Sequence, residues 1–543
     1  MFTPMLVHDF FKLSATLSPK KEALICPEGR WTYEELDEAC ELLADFFSQV
    51  GLGCQDRVAI FLDNSAEAVI SIYSTLRAGG VFLVINGAVK ARKLEYILRD
   101  SGASILIADA ARAAVVTEAA KKIESLTTVW VGEPYASHLE RSFPWGEIFE
   151  RGFSSTGFSS EPHRLAERPI DLDLAALIYT SGSTGEPKGV MSSHLNMVAA
   201  ARSIITYLDN NDGDKVLNVL PLSFDYGLYQ MLMTFMFGGS LVLERSFAFP
   251  VRILEIIQAE RITGFPIVPT IAALLLKMEN PGRYDLSSIR YVTNTGGVLP
   301  VEHIRRLRRI FGSAKIYSMY GLTECKRVSY LAPEQLTFRP ESVGKPIPNC
   351  RAWVVGANGK EAAPGEVGEL VVSGANVMAG YWNAPELTAK TFRRGRYPGE
   401  SLLYSGDLFK KDEEGFLYFI ARKDDQIKTK GERVSPREIE NIVCELEGVA
   451  EAAVIGVADQ TLGQAIKCFV VRRPGSQIGK KEILKHCAVN MESFMTPKYV
   501  EILEQMPCNS HGKIDKNALR ALAGSTAGKP CVVQPVPSTR AAG

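Results

Sequence analysis

Residues 179–190 read Tyr-Thr-Ser-Gly-Ser-Thr-Gly-Glu-Pro-Lys-Gly-Val and follow directly on the apolar run Ala176-Leu-Ile178. An apolar run stopped abruptly by small residues predicts a strand that feeds a tight loop. The loop offers uncovered glycine amides, several hydroxyls and one lysine, the groups that cradle phosphate oxygens. A Walker A loop is excluded, because Lys188 precedes Gly189 and stands three residues after Gly185, whereas that motif needs glycine, lysine and a hydroxyl in succession. A bare Gly/Ser/Thr cluster is ordinarily a plain loop, so its meaning depends on the rest of the chain.

The surrounding text alternates amphipathic helix patterns with short β-branched runs. Tyr33–Val50 predicts a helix and Arg57–Leu62 a strand; the strand pattern returns at Ser104–Ala108, Ala176–Tyr179, Lys215–Leu220 and Ser240–Leu243. That rhythm predicts an α/β fold of layers on largely parallel sheets. From Arg351 to Gly374 short strands broken by Gly, Asn and Pro predict a small β subdomain closing the large domain. After the charged turn Ala421–Gln426 a second α/β alternation begins, with helices at Ser435–Leu446 and Lys480–Met491 and strands at Glu451–Val457 and Ala465–Val471. The expected organisation is a large N-terminal domain over residues 1–423, a smaller α+β C-terminal domain over 424–522, and a disordered Gly/Ser/Ala/Pro-rich tail over 523–543. A chain of 543 residues exceeds what one core usually organises.

Composition excludes several classes. Sixty-one basic against 62 acidic residues provide no field suited to nucleic acid. Ten cysteines are scattered singly without paired zinc or redox spacing, as expected of reduced cytoplasmic thiols. The start carries no secretion signal pattern. The most apolar stretch, 227–243, is interrupted by Gln230, Thr234 and Gly238-Gly239 and reads as buried core rather than a membrane span.

Further motifs stand in order along the chain: Leu76-Arg-Ala-Gly-Gly-Val81, Tyr320-Gly-Leu-Thr-Glu324, Gly368-Glu-Leu, Gly380-Tyr-Trp-Asn-Ala-Pro-Glu-Leu-Thr388, Tyr404-Ser-Gly-Asp407, Ala421-Arg-Lys-Asp424 with Lys428 and Gly431-Glu-Arg433, and Pro507-Cys-Asn-Ser-His-Gly-Lys513. Together with the 179–190 segment they resemble the adenylate-forming superfamily of acyl- and aryl-CoA synthetases, luciferases and peptide-synthetase adenylation domains. The chain departs from the pattern at Ala421, usually glycine, and at Asn509 and His511, commonly Thr and Ser.

The resemblance implies an enzyme that joins a carboxylic acid to ATP as an acyl-adenylate, releases pyrophosphate, and passes the acyl group to a thiol, with CoA the expected acceptor. Thr180, Ser181, Gly182, Ser183, Thr184, Gly185 and Lys188 would handle the phosphates, with Gly296 and Gly297 also against ATP. Tyr320 would stack on adenine, Thr323 would bond a phosphate oxygen, and Glu324 would hold Mg2+. Asp407 would take the ribose hydroxyls, and Arg422 and Arg433 would approach ribose or phosphate. Asp424 would be a hinge, and Lys513 the catalytic lysine.

By the same resemblance the acid pocket follows Phe224, Asp225, Tyr226 and Tyr229, with Met319 and Arg327. Phe-Asp at this place is frequent in amino-acid-activating domains, where the aspartate pairs with the substrate ammonium. The wording Leu-Thr-Glu-Cys at 322–325 is nearer that of acyl-CoA synthetases, and Lys326 and Arg327 are unexpected beside an apolar acyl site. Arg327 either pairs with Asp225 or receives a polar substituent of the acid. A stand-alone enzyme that loads a separate carrier protein is the alternative to a CoA ligase.

Overall fold

The computed structural model describes residues 4–121, 123, 125–132, 139, 141–150, 168–180, 187–297, 299–423, 425, 427–429, 432–459, 462–491, 494–509 and 512–525. Two compact units divide between Phe419 and Ile420, inside the strand Leu417–Arg422 and slightly ahead of the boundary expected at 424.

The first unit is built on two large mixed sheets. One has the spatial order Lys345–Pro346, Ser329–Leu331, Lys315–Tyr320, Tyr291–Asn294, Gly264–Ile267, Lys215–Asn218, Ser240–Leu243, Glu22–Cys26 and Gly29–Thr32. Its six central strands run parallel, and antiparallel strands close both edges. The other runs Gly380–Tyr381, Lys188–Ser193, Leu174–Thr180, Val81–Val84, Arg57–Phe61, Ala103–Asp109, Thr127–Val131 and Ser142–Pro144. Strands buried on both faces read as continuous apolar runs, which is why Ser240–Leu243 and Arg57–Phe61 were legible in the sequence.

Helices pack between and outside these sheets. Tyr33–Gln49 starts at a capping box, with Thr32 accepting from the Glu35 amide, which satisfies donors that every helix start leaves open. The stretch expected as buried core becomes the helix Asp225–Met236, buried along nearly its whole circumference, then a turn and the strand Ser240–Leu243. Gly227 is required there, since a Cβ would lie 2.4 Å from the Pro221 carbonyl oxygen. Phe11, Tyr33, Tyr73 and Phe235 form one aromatic cluster, with ring centroids 4.7–6.0 Å apart, which joins four helices.

The β subdomain is an antiparallel sheet in the order Cys350–Val355, Gly368–Gly374, Ser401–Lys411, Phe392–Arg394. The second unit carries the sheet Glu432–Val434, Ile427–Thr429, Gly463–Arg472, Val449–Asp459, with Tyr499–Leu503 parallel to Gly463–Arg472, and the helices Pro436–Cys444, Lys480–Asn490 and Lys516–Ser525. Among the described residues no helix is long and apolar enough to cross a membrane. Most of the 523–543 tail and Asp424 lie outside the described residues.

Candidate active site

The glycine-rich segment is held at both ends. Leu174–Thr180 and Lys188–Ser193 pair antiparallel with Thr180 opposite Lys188 and Tyr179 opposite Gly189, so the chain leaves and returns side by side. Ser181, Gly182, Ser183, Thr184 and Gly185 lie outside the described residues. The Tyr179 hydroxyl donates to Asp100 Oδ2 at 2.5 Å, and the Trp382 indole donates to the Asp100 carbonyl at 2.9 Å. Gly380–Tyr381 then covers the far edge of the returning strand, with Gly380 opposite Met191 and Tyr381 opposite Val190.

That pairing carries Tyr381 into the site. Lys188 Nζ lies 5.8 Å from the centre of the Tyr381 ring, within cation–π range, and the Tyr381 hydroxyl donates to Glu324 Oε1 at 2.7 Å. The Met378 amide donates to the Glu324 carbonyl at 2.9 Å. Tyr381 thus links three motifs widely separated in sequence, its ring facing Lys188 and its hydroxyl holding Glu324. Sequence reasoning treated Gly380–Thr388 as architectural; the signal it passed over was a tyrosine following a glycine, which is too common to weigh alone.

Tyr320 ends its strand and donates to Asp407 Oδ2 at 2.5 Å, while Phe409 meets its ring edge-on at 4.8 Å. Asp407 is buried in the strand Ser401–Lys411, where its own amide donates to Ser405 Oγ at 3.1 Å and the Gly406 amide donates to Glu369 Oε1 at 3.0 Å. The aromatic and carboxylate groups expected at adenine and ribose are therefore neighbours.

Thr323 opens the short 3-10 turn Thr323–Cys325, after which Lys326 adopts φ 37° and ψ −61°. A left-handed conformation at a non-glycine residue costs on the order of 1–3 kcal/mol and persists only where the surroundings impose it. Here Asn376 Nδ2 donates to the carbonyls of Cys325 at 3.2 Å and Arg327 at 2.6 Å, and Gly321 gives the Lys326 carbonyl room that a Cβ, at 2.4 Å, would fill. The clamp fixes where the side chains of Lys326 and Arg327 go.

Both run against the helix Asp225–Met236. Lys326 Nζ lies 3.5 Å from Asp225 Oδ2 and 4.5 Å from the centre of the Tyr229 ring. The Arg327 guanidinium lies 5.3 Å from the centre of the Tyr226 ring. The ion pair of Asp225 is thus formed by Lys326, which corrects the pairing with Arg327 weighed from the sequence: the turn at Lys326 points the shorter amine, not the guanidinium, at the carboxylate. Arg327 is 1% exposed, and its Nε and Nη1 have no hydrogen-bond partner among the described residues; nor does the Tyr229 hydroxyl. A buried donor without a partner costs about 1–3 kcal/mol. Burial raises the titration of both the Tyr226 and Tyr229 hydroxyls, and Tyr226 donates to Thr293.

A small hollow beside Asp225 is lined by Phe82, Leu177, Ile178, Leu222 and Leu228; Phe224 precedes the helix and is buried. The Met319 sulfur accepts from the Tyr207 hydroxyl at 3.0 Å. Gly296 takes φ 82° after the strand Tyr291–Asn294, and Asn294 Nδ2 donates to the Gly297 carbonyl at 3.0 Å.

In the second unit Arg422 is exposed at a strand end, and Arg433 pairs through its backbone with Lys428. Lys513 sits in a tight loop in which its amide donates to Asn509 Oδ1 at 3.0 Å and its carbonyl accepts from the Asn509 amide at 2.7 Å. Asn509, which departs from the family pattern, thus closes the loop itself; His511 lies outside the described residues.

The AMP-binding enzyme family model matches residues 11–382, and the AMP-binding enzyme C-terminal domain model matches 438–513. A long-chain-fatty-acid–CoA ligase of Bacillus subtilis (strain 168) is 33% identical over 529 residues, 93% of this chain and 92% of that one. Surfactin synthase subunit 2 of the same organism is 30% identical across 94% of this chain, which spans 14% of that protein. The crystal structure of an anthranilate CoA ligase in complex with anthranoyl-AMP superposes with a TM-score of 0.87 at 25% identity, covering 97% of this chain and 99% of that one. With both family models in sequence order and the Lys188, Tyr381, Glu324 and Tyr320, Asp407 contacts within the larger unit, the chain belongs to the AMP-binding enzyme family and is an adenylate-forming ligase.

Proposed function

We propose that this ligase couples a small carboxylic acid to CoA through an acyl-adenylate. The observation that carries the reading is the pair of contact sets in the larger unit, Lys188 and Glu324 on Tyr381 and Tyr320 on Asp407: a cation and a hard carboxylate joined by one tyrosine, and an aromatic ring bonded to a second carboxylate. These are the groups needed to grip phosphates at one end of a nucleotide and its base and ribose at the other.

In the first step a carboxylate oxygen of the acid attacks the α-phosphorus of ATP, and pyrophosphate departs. Residues Thr180 to Lys188 hold the departing phosphates, with Thr323 bonding a phosphate oxygen, Gly296 and Gly297 flanking the nucleotide, and Arg422 and Arg433 completing the contacts to ribose and phosphate. Positioning and charge neutralisation supply most of the rate, because phosphoryl transfer asks little covalent chemistry of a protein. Lys513 offsets the charge shared by the carboxylate and the α-phosphate. In the second step a thiol attacks the acyl carbon and AMP leaves, with Asp424 as the pivot between the two half-reactions.

Glu324 fits Mg2+ as a partial ligand. A hard carboxylate beside a phosphate site suits an ion that takes its remaining ligands from phosphates and water. Bound there, Mg2+ supplies neutralisation of phosphate charge, and Tyr381 keeps the carboxylate turned toward that task.

The carrier-loading alternative draws support from the similarity to surfactin synthase. The Lys326 amine on Asp225 weighs against it, since that carboxylate is not an open seat for a substrate ammonium. A cytoplasmic setting suits an enzyme fed by ATP and CoA, and the described cysteines are free thiols.

The test is pyrophosphate and AMP release with fatty, aryl and amino acids, with and without CoA. CoA-dependent AMP release on a non-amino acid is the expected result. Acid-dependent pyrophosphate release that CoA leaves unaffected would move the assignment to a carrier protein, and the absence of adenylation with every acid would remove the reading.

A further inference from the structure

Arg327 is the buried group that the reaction above leaves without a task. Its guanidinium is among the largest fully buried side chains of the protein, no carboxylate among the described residues forms an ion pair with it, and Nε and Nη1 have no acceptor. An arginine cannot relieve burial by shedding its proton, and a buried charge is ordinarily paired. The Tyr226 ring at 5.3 Å offers partial compensation only. Asp225, the acidic residue at the head of the same helix, is engaged by Lys326. The Tyr229 hydroxyl, one helical turn from Asp225, is a second buried donor without a partner.

The turn that presents Arg327 is built rather than incidental. It needs a left-handed Lys326, the bridging Asn376 amide and the missing side chain of Gly321, and it begins at Glu324, whose carboxylate belongs to the nucleotide end of the site. A planar fork of donors fixed in this manner matches a carboxylate better than any neutral group.

We propose that Arg327 is the seat of a second carboxylate on the acid substrate, so that the enzyme activates a dicarboxylic acid, with one carboxylate reacting at ATP and the other bound by the guanidinium. The inference rests on the ligase reading above and narrows its substrate class. The Tyr229 hydroxyl donates to the same distal group. A monocarboxylic acid of equal length would leave the guanidinium buried and unpaired, which is the situation in which sites built for hydrogen bonding discriminate most strongly.

The experiment measures pyrophosphate release by the full-length enzyme with succinate, glutarate and adipate, each against the monocarboxylic acid of the same length (butyrate, valerate, hexanoate), and with valine. The expected result is a kcat/KM for at least one dicarboxylate that exceeds that of its monocarboxylic counterpart by about 100-fold or more. In Arg327→Met that ratio should fall toward unity, and Arg327→Lys should restore part of it. The proposal is overturned if wild type uses the monocarboxylates or valine as well as the dicarboxylates, or if a folded Arg327→Met keeps the preference. The wild-type ratio decides even where the variant does not fold. Turnover of monocarboxylates alone would leave the ligase reading standing and remove this one; no release with any acid of this panel would also remove this one, and the ligase reading would fall only if the fatty, aryl and amino acids named above failed as well.

Discussion

Tyr381 shows how little of a side chain's task is written beside it. Its ring lies under Lys188 and its hydroxyl holds Glu324, so Tyr381→Phe should leave the melting temperature nearly unchanged and raise the KM for ATP about 10-fold, the worth of one hydrogen bond to a charged group at its low end; steady-state kinetics at varied ATP checks this. Gly321→Ala should act in the opposite manner. A Cβ 2.4 Å from the Lys326 carbonyl forces the clamped turn to move, so both stability, by about 2 kcal/mol or more, and pyrophosphate release should fall. Lys513→Ala should lower the adenylation rate by about 100-fold or more, read as single-turnover pyrophosphate release. At this scale the sequence displayed the identities of the reactive groups but not their partners. Asp225 and Arg327 were visible as charges that needed partners, yet which cation reached the carboxylate depended on the backbone angles of Lys326, and those are imposed by Asn376 from the turn that follows Gly368–Gly374.

Among elements, the long ones were legible. Tyr33–Gln49 and Lys480–Asn490 fall within a residue or two of their sequence expectation, because apolar periodicity accumulates over many positions. Gly380–Tyr381 was not, since two residues carry no period; its pairing with Lys188–Ser193 is settled by tertiary context alone. The helices Val7–Leu17, Tyr33–Gln49, Ala66–Arg77 and Asp225–Met236 share the Phe11, Tyr33, Tyr73 and Phe235 cluster. Phe11 is fully buried at its centre, so Phe11→Ala should cost about 3–5 kcal/mol in reversible urea unfolding. The loss would reach the acid pocket through the helix that carries Asp225.

For the molecule as a whole, stability should depend on acid through two buried imidazoles. Burial lowers His8 to about 3 and His194 to about 4, from an ordinary value of 6.5. His194 Nδ1 accepts from the Val7 amide at 3.2 Å, a bond that the neutral ring alone can make. The unfolded chain therefore binds more protons than the folded one between these values. Stability is fully present above pH 6.5 and is lost as pH falls from there toward 4, by up to about 1.4 kcal/mol per pH unit for each histidine. His8→Gln should flatten the slope of unfolding free energy against pH over that window. Asp424→Pro should spare pyrophosphate release and abolish thioester formation, and equal survival of both half-reactions would count against the hinge assignment.

The short strand Gly380–Tyr381 has a consequence for how the enzyme is made. Until it arrives, the outer edge of Lys188–Ser193 presents unpaired amides and carbonyls, the kind of rim along which separate chains join. Contacts that wait on such distant sequence form late. The nascent chain therefore carries its entire glycine-rich text well before it can flank it, and a message truncated ahead of Gly380 should yield aggregate rather than a weakened enzyme.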